Sequence, residues 1–394
     1  MFNLGTVTMF DDPNSVHMPD VMDLARAIGP AAMTGVVYQM MAAPVDPITQ
    51  KEYSMFSRTK SLSNGTIAAA WNASDVAGLP VPAQYLRGLT VGHQIQIDDE
   101  IVTVASVDRT ANTISVHARG MCGTTAVAHT ANTPFDVIGF AGRDADLRNV
   151  EGMSETTIVR SNYVQTVIEK IEWEKSAEIE RYGIASSKQV LTLQMEAMNR
   201  VITKLSRSAI QGRKNRGTKD QPFASNGLIA SLKDRGKDNE CPIKVFNANN
   251  ALLTEAMLHD ALDMVFDYGS PDTIILSNQM ARRFKAFIGA GDQGIPVVVH
   301  TDRTDTGVGR HVTHYDYNGV SLELKVDRDM PNNKIAVVTA QDLKKGWLKD
   351  DALAIKDEPQ KSSREFAQSI QGSVGFIVEN VGYNHILIEN VALS

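Results

Sequence analysis

Cysteine is nearly absent: the 394 residues contain two, Cys122 and Cys241, 119 positions apart. That spacing makes no CxxC pair, zinc set or disulfide framework, and a reducing compartment is the simplest reading. A cationic surplus is also missing. Lys and Arg number 39 against 46 Asp and Glu, a net charge of −7, which excludes a protein that binds nucleic acid through its whole surface. Long apolar runs are lacking too. Residues 21–43 form the most apolar early stretch, but Asp23 and Arg26 interrupt it and Gly29-Pro30 breaks it. It falls short of the ~20 clean apolar residues that span a bilayer, so no membrane association is expected. Residues 1–20 carry no basic region followed by an apolar core, as a secretory signal would. No repeat of solenoid period occurs.

What is present is an ordinary globular balance, 43% apolar and 22% charged residues, with enough length for two or three folding units. Residues 2–83 show little periodicity beyond a short helix over 19–28. They are too long for one loop and too apolar for free disorder, which suits an extended arm buried on another subunit. Between 86 and 138 the texture changes. Ile95-Gln-Ile97 and Ile101-Val-Thr-Val104 flank Asp98-Asp99-Glu100 as a hairpin, and strands follow at 113–116 and 135–138. This reads as a small β-module inserted into a longer loop. Next, residues 151–180 hold seven Glu and three basic residues. Leu191, Met195, Met198, Ile202, Leu205 and Ala209 then repeat at helical spacing, predicting a helix over 187–211 that Ser186 opens and Gly212 ends. Arg213-Lys-Asn-Arg-Gly-Thr-Lys219 follows as a basic loop. Residues 223–346 alternate helices with short strands: a helix through Leu253, Met257, Ala261 and Val265 capped by Asn249 or Asn250, a strand at 273–276, a helix at 278–288, and strands at 295–299, 320–326 and 335–338. Residues 367–393 close the chain with strand-like cores at 375–378 and 385–388. The fold class is α+β.

No motif offers chemistry. Gly289-Ala-Gly291-Asp-Gln-Gly294 matches GxGxxG, but a helix precedes it and a strand follows, the reverse of a phosphate-binding turn. His300, His311 and His314 with Asp302, Asp305 and Asp316 lack the i, i+4 pairing that fixes two ligands on a helix. No GxSxG or HExxH occurs. Asp98, Asp99 and Glu100 are expected to face water on their turn, and His117 and His129 to hold rim or turn positions. We therefore expect no catalytic, cofactor-binding or metal-binding residue. The basic loop has no interleaved aromatic for stacking on bases. The acidic segment before the helix offers it a partner of opposite sign on another copy, so subunit contact is favoured over nucleic acid.

The order of parts resembles the major capsid proteins of tailed phages, whose Hong Kong 97-like fold is shared with encapsulin shells. The most specific stretch is Val326-Asp-Arg-Asp-Met-Pro331, Ile335-Ala-Val-Val338, Lys345-Gly-Trp-Leu348 and Val378-Glu-Asn-Val381 through His385-Ile386. The helix at 187–211 is similar to the family's spine helix, and Pro271-Asp-Thr-Ile-Ile-Leu276 to its central axial strand. Arg119-Gly120-Met-Cys-Gly123-Thr124-Thr-Ala126-Val-Ala-His129 resembles a motif of phage structural modules, and the β-module places the chain with relatives whose extended loop carries a β-rich insertion.

The resemblance implies an N-terminal arm (1–45), an extended loop (46–83 and 140–165), an inserted β-domain (84–139), a peripheral domain (166–222 and 346–394) and an axial domain (223–345). It further implies a non-enzymatic shell of hexamers and pentamers around double-stranded DNA, built in the host cytoplasm and retained in the virion. Expected partners are further copies, a portal protein, a separate scaffolding protein and a decoration protein, with the packaged DNA contacted weakly. Cross-linking in some relatives would point to Lys51 or Lys60 with Asn380 or Asn384, though no motif fixes a pairing. Two alternatives stand beside the phage head: an encapsulin-like compartment with enzyme cargo, and a cytosolic enzyme using the Gly289 or His300 loop.

Overall fold

A computed structural model describes residues 35–42, 45, 47–58, 64–86, 88–141, 157–174, 186–234, 245–289, 314–359 and 365–392. The helix expected at 19–28, the strand at 295–299, the loop beyond Gly289, His300, His311 and Lys60 lie outside these residues.

Three apolar clusters organise the chain. The first lies between a long helix and a sheet. Strand β9 (Gln165–Glu174) pairs antiparallel with β17 (Glu365–Val378) over ten positions, and β15 (Leu343–Trp347) and β16 (Ala354–Asp357) share the other edge of β17. On this sheet lies α3 (Ser186–Gln211), which stops at Gly212 as expected. The buried stripe is rotated from the one the spacing suggested. Ala197, Val201, Leu205 and Ala209 are fully buried, while Met195 is 43% exposed. Small residues at i, i+4 let the helix backbone approach the sheet closely, so the bulkier methionine row moves toward the rim.

The second cluster fills a six-stranded sheet ordered β10 (Phe246–Asn247), β18 (Ile386–Glu389), β14 (Lys334–Val338), β11 (Thr273–Leu276), β13 (Val320–Val326) and β12 (His314–Tyr317). β11 is buried at all four positions, as a short apolar run without alternation should be. α5 (Glu255–Phe266) and α6 (Asn278–Gly289) contribute Leu258, Leu262, Val265, Met280 and Phe284 to this core. The cap of α5 is Thr254, whose Oγ1 accepts from Met257 N at 3.3 Å; Asn249 and Asn250 instead take positive φ in the turn before it. β18 also departs from expectation. It pairs with β14, so residues 346–394 divide between the two sheets.

The third cluster belongs to a sheet ordered β2 (Asn64–Thr66), β7 (Pro134–Phe140), β4 (His93–Ile97), β5 (Glu100–Asp108), β6 (Thr113–Val116) and β3 (Leu79–Pro80). The hairpin at 95–104 is present as β4–β5, with Gln96 opposite Ile101. However, the module begins at Asn64, before the expected start at 84. Ile67, Trp71, Leu79 and Val81 lie in its core, although isolated apolar residues in an irregular segment leave no periodic trace. Tyr85 in α2 (Ala83–Leu86) bonds Tyr268, and Tyr383 joins the same cluster, so the module rests on the second sheet's loops. Finally, β1 (Glu52–Arg58) pairs antiparallel with β8 (Thr157–Tyr163) as a two-stranded ribbon.

Candidate functional site

Four buried carboxylates tie together segments that are distant in sequence. The first two stand in the Val326–Pro331 motif. Asp327, 1% exposed, accepts from Val37 N at 2.9 Å and anchors α1 (Val36–Met40). Asp329 accepts from Ser206 Oγ at 2.9 Å and Arg207 Nε at 3.3 Å, both on α3, while its carbonyl accepts from Gln211 Nε2 at 2.6 Å. Ser206 Oγ in turn accepts from Gly35 N at 2.9 Å. A Cβ at Gly35 would lie 2.1 Å from that hydroxyl, so glycine alone allows the approach. The motif therefore clamps the N-terminal segment onto α3.

Asp342 performs the same work at the other sheet junction. Its carboxylate accepts from Asn380 Nδ2 at 3.0 Å and Asn384 Nδ2 at 2.9 Å. The two amides named for cross-linking are thus held inside the subunit. Beside them His385 accepts from Thr339 N at 3.2 Å through Nδ1 and donates to Glu379 O at 2.8 Å through Nε2. Burial holds its imidazole below the usual histidine range, despite the nearby Asp342 charge.

The fourth carboxylate corrects the reading of the acidic turn. Glu100 is 1% exposed and does not face water. Its Oε1 accepts from Arg119 Nε at 2.7 Å and Gly120 N at 2.9 Å. Its Oε2 accepts from Arg119 Nη2 at 2.8 Å and Val127 N at 3.1 Å, and His129 Nε2 lies 3.0 Å away. Burial alone would raise this carboxyl, yet the guanidinium, the two amides and His129 together bring it down to about 2. His129 is correspondingly buried, 4% exposed, with Nδ1 3.1 Å from Asp98 Oδ2. It is not a rim residue. Arg119 spends its remaining N–H groups on the carbonyls of Asn72, Asp75 and Val127, and its guanidinium lies 3.6 Å over the Trp71 ring. Gly120 has φ +60°, where a Cβ would meet Thr124 O at 2.7 Å.

Saturation decides what this knot can do. All five Arg119 donors and both Glu100 oxygens are occupied by the chain itself, leaving no position for a substrate. The same conclusion extends further: among the described residues, no group of three His, Cys, Asp or Glu is placed to hold a metal, and no helix is long and apolar enough to cross a membrane. Sequence reasoning missed the knot because a charged turn normally faces solvent. The signal was nevertheless present in the Arg119-Gly120 and His129 positions of the quoted motif.

Part of the acidic segment is paired with the long helix of its own chain. Glu169 on β9 accepts from Arg200 Nε at 2.8 Å and Lys204 Nζ at 2.5 Å, and these cations lower its carboxyl. Lys214 of the basic loop pairs with Asp234. Arg213, Arg216 and Lys219 remain exposed.

Among the described residues, the buried carboxylates Glu100, Asp327, Asp329 and Asp342 each join separate segments of the chain, an arrangement that suits a structural protein. The comparisons agree: the model of the SU10 major capsid protein family matches residues 95–392, and the chain belongs to that family. It is a phage major capsid protein and a virion component, and its architecture is α+β. No curated protein matches the chain. Among solved structures, it is similar to that of Mycobacterium phage Bobi at 11% identity, covering 98% of this chain and 99% of that one, TM-score 0.45. The satellite phage P4 procapsid, which includes size determination (Sid) protein, gives 11%, 96% and 94%, TM-score 0.43. The holo-SrpI encapsulin complex of Synechococcus elongatus PCC 7942 gives 12%, 61% and 79%, TM-score 0.44.

Proposed function

We propose that copies of this chain assemble through hexamers and pentamers into an icosahedral shell around the double-stranded DNA of a tailed phage. The observation that carries this reading is the β1–β8 ribbon. It joins residues about a hundred positions apart, Glu52 opposite Tyr163 and Arg58 opposite Thr157, with no third strand among the described residues. One end of the ribbon is tied to β17, where Tyr53 Oη and Asn162 Nδ2 both donate to Phe376 O, but its strand edges are open and invite pairing with another chain. Val159 on it is 56% exposed. Coverage by neighbouring subunits accounts for both features.

In this reading residues 1–45 are the N-terminal arm, and the two legs around the ribbon are the extended loop. The inserted β-domain, which bears either on neighbouring subunits or on a decoration protein, spans 64–140. Residues 166–222 with the strands of 343–378 form the peripheral domain, and 223–342 with β18 the axial domain. Assembly takes place in the host cytoplasm with a scaffolding protein and a portal, and the protein performs no catalysis. Electron microscopy of protein produced with its scaffold tests this. Closed particles built of five- and six-fold capsomers are expected; open sheets or single chains at high concentration would refute it.

A further inference from the structure

From residue 197 to 219 the chain carries seven cations, Arg200, Lys204, Arg207, Arg213, Lys214, Arg216 and Lys219, and no Asp or Glu, within a protein of net charge −7. The structure places the first three at i, i+4 and i+7 of α3, hence on one face. They are 50%, 59% and 69% exposed although each has an ion-pair partner. Arg328 stands beside them, and the four line an open groove of about 740 Å³. The groove's other walls are Glu196, Asn199, Thr203 and Asp329. A second groove of about 550 Å³ adjoins it at the end of the helix, where Arg213 and Lys214 meet Lys233 and Lys334. Gln211, which bonds Asp329 O, links the two.

Three features choose the ligand. Among the described residues, none that lines the first groove is aliphatic or aromatic, whereas a docked protein segment wants such side chains as buried anchors. The whole 197–219 stretch lacks aromatics, so bases have nothing to stack on. Glu169 and Glu172, acids that would otherwise complement these cations on another copy, are already paired within their own chain, Glu169 with Arg200 and Lys204 and Glu172 with Lys170. We propose that the exposed face of α3 and the 213–219 loop form a track for phosphodiester backbone, read without sequence preference. It rests on the reading that the shell encloses nucleic acid. Carboxylates interspersed along the track keep the attraction weak, which suits a polymer that must slide during filling.

The test is fluorescence anisotropy of a labelled 20-base-pair duplex with unassembled full-length protein between 50 and 200 mM salt. Because each neutralised phosphate contributes about 0.9 to the log–log salt slope, R213Q/R216Q should reduce its magnitude by about 1.8, and R200Q/K204Q likewise. K349Q/K356Q, which removes two exposed lysines from another part of the chain, should leave it unchanged. Thermal melts establish that each variant is folded, and R213Q/R216Q alters only exposed loop residues. Equal slopes for all variants would overturn the track, as would poly-glutamate binding where the duplex does not. Particle formation is scored in parallel. Shells that form while duplex binding shows no dependence on these cations refute the track alone, and failure of wild-type protein to form shells refutes the underlying reading.

Discussion

Replacing Glu100 with glutamine isolates what the buried knot contributes. The side chain keeps its shape, but Arg119 loses its counter-charge in a site that is 5% exposed on the arginine side and 1% on the glutamate side. Holding the Glu100 carboxyl at about 2 instead of its ordinary 4.5 corresponds to about 3 kcal/mol in favour of the folded module at neutral pH. Breaking a buried pair by removing one partner costs a similar ~3–5 kcal/mol. We therefore expect E100Q to destabilise the β-module by about 3–4 kcal/mol. The sign with pH follows from the lowered carboxyl: wild-type stability is fully present above about 4.5 and is lost as pH falls toward about 2, a loss that E100Q should not show. Native-state hydrogen exchange of the full chain is the assay, because amides of β4, β5 and residues 117–129 report the module separately from the two larger cores. The double variant E100Q/R119M should cost less than the sum of its single changes, by about 1–3 kcal/mol of coupling. A change below about 1 kcal/mol in E100Q, with additive double-variant behaviour, would refute the knot as the module's organising element.

Three further outcomes are expected. Asp327→Ala removes the acceptor for Val37 N and should loosen α1 from the spine helix by about 1–3 kcal/mol, seen as faster limited proteolysis before residue 42; unchanged cleavage would contradict the clamp. His385 is held neutral by burial, so stability should fall as pH drops below about 6.5 toward its depressed value. A urea midpoint that is flat between pH 7.5 and 5, with His385→Gln behaving identically, would count against this. Thr254→Ala should cost about 1 kcal/mol through loss of the α5 cap, read as a lower melting temperature, with Thr254→Ser largely restoring it.

Strong local patterns made much of the fold legible. The spine helix, the hairpin at 95–104 and the strands at 273–276, 320–326 and 335–338 each follow from period, turn residues and apolar run length, and the structure contains them all. Long-range choices were not legible. Nothing local tells Ile386–Glu389 to join β14 rather than the sheet of β17, because a short apolar run names no partner strand. The rotation of the α3 stripe toward Ala197 and Val201 reflects how closely the helix packs on β9 and β17, which depends on the sheet and not on the helix. The buried acids were the hardest to see. Glu100, Asp327, Asp329 and Asp342 look like surface residues in a one-dimensional pattern, and their donors lie between 2 and 290 positions away. The family resemblance had fixed on two of the same places, the Val326–Pro331 and Arg119–His129 motifs, without disclosing that each is built around an ion.

The account's central claim is that the β1–β8 ribbon is completed by neighbouring copies, and hydrogen exchange on both states of the protein tests it most directly. Amides of residues 55–58 and 157–159, the end of the ribbon remote from the Tyr53 and Asn162 anchors, should exchange rapidly in the unassembled chain and become strongly protected in closed shells, while the core strand β11 stays protected in both. Equal protection of the ribbon before and after assembly would contradict the claim.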